Sequence, residues 1–176
     1  MTPQLRQLIL TGLPGSGKST VGRALARRIG WVFVDLDDLV VERAGRSVEQ
    51  IFEDLGEERF RELEAQATAD LRDRDRLVTA PGGGWITRPE AVSILRPPAR
   101  MAFLRVSPEV AAGRIARSGT VRPLVGTADP VGRIRELVAA RGHLYATADL
   151  AVDTEVIVSE VVTQLEQWLV SQRLLP

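Results

Sequence analysis

The chain has 176 residues, 44% of them hydrophobic, with 23 acidic side chains balancing 23 basic ones; this suits one domain with a real core and carries no general footprint for duplex nucleic acid or an anionic membrane. Zero Cys excludes disulfides, thiolate metal sites and thiol nucleophiles, and a single His, His143, excludes a multi-His metal centre. No apolar run approaches the ~18 residues of a spanning helix, and Met1 to Gln7 lacks the layout of a secretory leader, so a soluble, cytoplasmic protein is expected; no large apolar stripe is left unassigned, which points to a monomer.

In chain order, Leu5 to Leu10 reads as a short buried strand. Lys18 to Ile29 reads as a helix, with Val21, Leu25 and Ile29 at spacing four. Between them, Gly12-Leu13-Pro14-Gly15-Ser16-Gly17-Lys18-Ser19 fits G-x-x-x-x-G-K-[ST] in the strand-to-helix setting that this motif requires. Its glycines let backbone N–H groups turn inward around phosphate oxygens, and the helix N-terminus adds partial positive charge. Gly12, Gly15, Ser16, Gly17, Lys18, Ser19 and Thr20 are therefore the candidate nucleotide-binding residues, with Lys18 reaching the β- and γ-phosphates and Ser19 ligating Mg²⁺. The other 22 basic residues are all Arg. The one Lys occupies the slot where a compact, movable charge serves better than a planar guanidinium.

Trp31 to Val34 is a second predicted strand, followed by Asp35-Leu36-Asp37. If the strand continues, alternation puts Asp35 and Asp37 on one side, at the end of a parallel strand where ligands bind. One carboxylate then holds Mg²⁺ through water and the other orients an acceptor hydroxyl. The alternative is a helix N-cap cluster, with Asp37 or Asp38 as the cap before Leu39-Val40-Val41. Short helices are expected at Val40 to Glu42 and Ser47 to Leu55, the second opened by a capping box of Ser47 and Gln50. Glu57 to Arg72 is a longer helix with Phe60, Leu63, Ala67 and Leu71 on one face. Spacing alone does not separate Arg61 from Arg59 in its charged first turns.

Arg76 to Ala80 is a strand that runs into Pro81-Gly82-Gly83-Gly84, either a plain turn or a close backbone approach to a small ligand. A short helix opens near Pro89, Met101 to Val106 is a strand, and Ser107-Pro108 starts a helix by cap and first-turn proline. Gly119 to Pro130 has no periodicity and reads as a mobile loop in which Arg122 can close over a transferring phosphoryl group. Val131 to Ala146 is helical, Leu150 to Val152 is a strand and Ser159 to Gln172 is a closing helix. Arg141 carries no local clue to its role, and His143 reads as a surface or partly packed residue. Short strands separated by helices predict an α/β fold with a parallel sheet in one domain.

Taken together, Gly12 to Ser19, Asp35-Leu36-Asp37, Gly56-Glu57-Glu58 through Phe60-Arg61 and Glu64, Gly82-Gly83-Gly84, Arg122-Pro123-Leu124, and Arg141 with Leu144-Tyr145 resemble the shikimate kinase family over roughly Ile9 to Asp153. The resemblance implies a three-layer P-loop kinase fold, with a five-stranded parallel sheet flanked by helices, an acceptor-binding region about 35–62 and a mobile lid about 117–130. It also implies transfer of the ATP γ-phosphoryl group to the 3-hydroxyl of shikimate, with Mg²⁺ as cofactor and ATP as co-substrate. In these terms Asp37 holds the acceptor hydroxyls and is the candidate base, and Asp35 lies near the Mg²⁺ waters. Arg61 and Arg141 hold the acceptor carboxylate, Gly83 with Gly82 and Gly84 contacts the acceptor, and Arg122 is the lid arginine. The physics agrees, since a carboxylate suits planar bidentate donors.

The family's adenine-packing Arg matches Arg117 if the lid is slightly shortened, with Arg114 as a rival. Trp85 and Pro81 depart from the pattern: Trp85 either packs into the core beneath the glycine turn or reshapes the acceptor pocket. A gluconate-type sugar-acid kinase is the alternative enzyme. A nucleotide-dependent regulatory module is the non-enzymatic alternative, opposed by intact Lys18, Ser19, Asp37 and Arg122.

Overall fold

A computed structural model describes residues 6–118 and 128–176. The five strands are β1 (Gln7–Thr11), β2 (Val32–Asp35), β3 (Leu77–Ala80), β4 (Arg100–Arg105) and β5 (Leu150–Asp153). They form one sheet in the order β2-β3-β1-β4-β5, and every pairing is parallel. The helices are α1 (Lys18–Ile29), α2 (Leu36–Ala44), α3 (Val48–Ala69), α4 (Pro89–Leu95), α5 (Pro108–Ser118), α6 (Pro130–Tyr145) and α7 (Val158–Ser171), with a 3₁₀ turn at Trp85–Thr87. Arg122 and most of the predicted lid lie outside the described residues.

Strand alternation builds the layers. Leu8 and Leu10 of β1, with Val78, Ala102, Leu104 and Val152, face the apolar stripes of α1 and α7, formed by Val21, Leu25, Val161, Leu165 and Leu169. Ile9, Leu77 and Met101 face the opposite way, onto the larger core of α2, α3, α4 and α6. The chain runs from β1 outward to β2, returns to β3, and then passes to the other side for β4 and β5. This divergence leaves a crevice at the C-terminal ends of the strands beside β1, where α/β sheets bind ligands.

The two helices expected at 47–55 and 57–72 form and meet at Gly56, whose φ of +82° is not helical; together they make up α3, and the second ends at Ala69 rather than Arg72. The Ser47–Gln50 capping box forms as expected. The strand that was to carry both Asp35 and Asp37 stops at Asp35. There the Asp35 carboxylate accepts the Asp37 backbone N–H and caps α2, so Asp37 sits in the first helical turn. An N-cap of this kind contributes about 1 kcal/mol toward ending the strand at Asp35, two residues short of Asp37. The cap is therefore Asp35, and not Asp37 or Asp38. Among the described residues no helix is long and apolar enough to cross a membrane.

Candidate functional site

A cleft of about 500 Å³ opens at the strand ends, lined from the phosphate loop through Asp35 and Asp37 to Arg61 and the glycine turn. The loop leaves β1 at Thr11 and enters α1 at Lys18. Gly15 has φ +78°, and a Cβ there would stand 2.5 Å from the carbonyl oxygen of Ala111, so a larger residue would force the loop off α5. The Lys18 Nζ donates to the carbonyl oxygens of Gly12 (2.8 Å) and Leu13 (2.9 Å), which hold the ammonium at the mouth of the loop. Ser16 is fully buried beneath it, and Thr20 is exposed on α1 at the cleft wall.

Ser19 Oγ donates to Asp35 Oδ2 at 2.5 Å. Two hard oxygen donors meet beside the phosphate loop, a set that suits Mg²⁺, which keeps waters and shares substrate phosphates. Although Asp37 is helical rather than extended, it faces the same cleft as Asp35. The two carboxylates share the pocket through the cap and first turn of α2 rather than through strand alternation.

Arg61 and Arg59, equivalent by spacing, are separated by burial. Arg59 pairs with Glu62 on the surface, where both side chains are about half exposed. The Arg61 side chain is 10% exposed and lies between Glu64 (3.0 Å) and Glu57 (3.1 Å). Glu64 is itself buried, and its Oε1 accepts no hydrogen bond among the described residues. Burial pushes the Glu64 carboxyl up to about 7; Arg61 pulls it down, and the Asp37 charge adds to the rise. No role is assigned to Glu64 by the sequence reading. Its signal is a lone carboxylate on the Phe60–Leu63–Ala67 apolar face of α3.

Gly82, Gly83 and Gly84 each make room for a different side chain. A Cβ on Gly82 would stand 2.9 Å from Asp37 Oδ1. On Gly83 it would stand 3.4 Å from Arg141 Nη1, and on Gly84 2.6 Å from Arg61 Nη2. Arg141 reaches the turn from α6 and donates to the Gly83 carbonyl oxygen at 2.7 Å. Three elements thus bring one carboxylate and two guanidiniums against one bare backbone turn. Trp85, next in the chain, is fully buried in the core, so it is not part of the cleft wall.

At the other end of the cleft, Arg114 lines the wall and hydrogen-bonds Thr154 Oγ1 (3.2 Å) and the Gly15 carbonyl oxygen (3.4 Å). Arg117 is exposed on α5, with a guanidinium nitrogen folded back over Gly113. His143 is exposed on α6. The cleft wall thus joins the loop, Asp35, Asp37, Arg61 and Gly82 to Gly84, with Arg141 behind it against the Gly83 carbonyl, and leaves Arg117 off; Arg122 lies outside the described residues.

Comparison with known proteins places the chain among similar sequences and folds. The shikimate kinase family model matches residues 14–170. A shikimate kinase from Geobacter sulfurreducens is 43% identical over 163 residues, covering 90% of each chain. The structure of shikimate kinase from Acinetobacter baumannii, solved in complex with shikimate, superposes with a TM-score of 0.89 at 31% identity, covering 96% of this chain and 94% of that one. A gluconokinase from Sinorhizobium meliloti shares the fold with a TM-score of 0.62 at 21% identity, over 96% of this chain and 98% of that one.

Proposed function

The chain belongs to the shikimate kinase family, and from that premise we propose how this cleft moves the ATP γ-phosphoryl group to the 3-hydroxyl of shikimate, giving shikimate 3-phosphate and ADP. The observation that carries the proposal is the convergence of Asp37, Arg141 and Arg61 on Gly82, Gly83 and Gly84. A small ligand with a carboxylate at one end and hydroxyls at the other matches two guanidiniums and one aspartate.

Gly12 to Thr20 cradles the ATP phosphates, with backbone N–H groups and Lys18 neutralising the charge on the β- and γ-oxygens. Ser19 would hold Mg²⁺ directly and Asp35 through water, and the cation supplies charge neutralisation across the β- and γ-phosphates when bound. Arg61 and Arg141 hold the acceptor carboxylate as bidentate donors, which fixes the ring and turns its 3-hydroxyl to Asp37. Asp37 accepts the hydrogen bond from that hydroxyl and receives its proton. The hydroxyl oxygen bonds to the γ-phosphorus as the bond to the β-bridging oxygen breaks. Arg122 covers the transferring group, a role that rests on the family resemblance. At the base end, Arg114 is better placed than Arg117 to pack against adenine, because it lines the cleft and is anchored through Thr154 and Gly15. We read the protein as a cytoplasmic monomer.

The test is the initial rate of ADP formation with shikimate, with gluconate and with neither. Shikimate should raise the rate at least tenfold over the acceptor-free rate, and gluconate should not. Stimulation by gluconate alone would reassign the acceptor end.

A further inference from the structure

Trp85 lies outside the cleft, yet it is joined to the Arg61 guanidinium of the cleft through an unbroken chain of contacts. The indole is fully buried, and its Nε1–H donates to Thr68 Oγ1 at 3.2 Å. The Thr68 hydroxyl donates in turn to the backbone carbonyl of Glu64 at 2.7 Å. Glu64 Oε2 takes the Arg61 guanidinium at 3.0 Å. That guanidinium lies against Gly84, with Nη2 2.6 Å from where a Cβ would stand, and Gly84 is bonded to Trp85. The path closes on itself: Gly84, Trp85, Thr68, Glu64, Arg61 and back to Gly84.

We propose that Trp85, acting through Thr68, is a positioning residue for the acceptor carboxylate clamp, fixing how far helix α3 stands from the glycine turn and so where the Arg61 guanidinium sits. The inference rests on the acceptor reading given above. Its physical basis is that a buried indole N–H must find a partner. Here the partner is one helical turn from Glu64, the residue that aims Arg61. Thr68 is suited to the link because its hydroxyl donates back along the helix and keeps a lone pair for the indole. The 3₁₀ turn opened by Trp85 also packs against α6, the helix that carries Arg141. One buried ring therefore references both guanidiniums to the same backbone turn. Phe60, adjacent to Arg61, lies in the same core cluster as Trp85, so the turn of α3 that carries Arg61 packs in the same core as the anchor.

The test uses Thr68→Val, which keeps shape and loses the hydroxyl, and Trp85→Phe, which keeps an aromatic ring and loses the N–H. In both, KM for shikimate should rise roughly fivefold, the factor expected for one neutral buried hydrogen bond, while KM for ATP stays unchanged. The double variant should match the larger single effect, because both changes break one link. A second readout needs no acceptor: the ¹⁵N–¹H signal of Arg61 Nε, assigned by its loss in Arg61→Lys, should shift in Thr68→Val. An unshifted Arg61 signal, multiplying effects in the double variant, or a parallel rise in KM for ATP would each overturn the positioning role. If shikimate fails to stimulate the wild-type protein, the acceptor reading falls, and the Arg61 signal alone decides whether the anchor exists.

Discussion

Replacing Glu64 by Gln should flatten the pH dependence of folding stability between pH 5 and 7.5. Glu64 is 1% exposed, and burial raises its carboxyl from 4.5 to about 7 in spite of the adjacent Arg61. Between those two values the folded chain holds a proton that the unfolded chain has released. The sign follows from linkage: the native state binds more protons there, so stability is full below about 4.5 and falls as pH rises through about 7. At ~1.4 kcal/mol per pKa unit, the group alone takes away about 3 kcal/mol across that window. The shifted Asp75 acts elsewhere, since Arg6 lowers its carboxyl to about 2 and its contribution is lost only in strong acid. Urea unfolding at pH 5 and pH 7.5, followed by circular dichroism, reads the difference directly. The wild type should be less stable at pH 7.5, and Glu64→Gln should show little change because a neutral amide has no proton to lose. Equal slopes in the two proteins, or a wild type that grows more stable across the window, would refute the assignment of a neutral buried carboxyl.

Three further outcomes are expected. Gly84→Ala should raise KM for shikimate and leave KM for ATP unchanged, because the new Cβ must push the Arg61 guanidinium away from a 2.6 Å approach; acceptor titrations check it. Asp37→Asn should lose on the order of 10²–10⁴ in kcat, as for removal of a general base, while ATP binding measured by calorimetry stays near wild type; equal loss of both would make Asp37 a structural residue. An amine-directed reagent should modify Lys18, the one lysine of the sequence, with loss of activity, and saturating ATP with Mg²⁺ should block the modification as read by peptide mass spectrometry.

What the sequence made legible was local. The phosphate loop could be read because strand, glycines, Lys18 and helix follow one another without a gap, and the motif needs nothing from elsewhere in the chain. The capping box at Ser47 and the proline start at Pro108 are equally local. The sequence leaves Asp37 open between strand and cap cluster because a single hydrogen bond from its own N–H to Asp35 decides where the strand ends, and periodicity does not register a cap competing with a strand. The ambiguity between Arg59 and Arg61 needed tertiary burial to resolve: three neighbours of Arg61 lie on its own helix, but the turn at Gly84 is more than twenty residues away in sequence. The glycine turn itself was readable as a close approach, yet what approaches it was not. The resemblance suggested a ligand; the structure adds that Asp37, Arg141 and Arg61 side chains also take the space. Trp85 had two readings that differ only in which way a ring turns from the backbone, and the hydrogen bond to Thr68 decides for the core.

The most direct measurement of the central account is product identification by ³¹P and ¹H NMR after incubation with ATP, Mg²⁺ and shikimate. The account predicts one phosphate monoester on the 3-hydroxyl of shikimate for each ADP released, formed on the order of 10²–10⁴ times more slowly with Asp37→Asn. ADP released with no ester, or an ester on another hydroxyl, would contradict it.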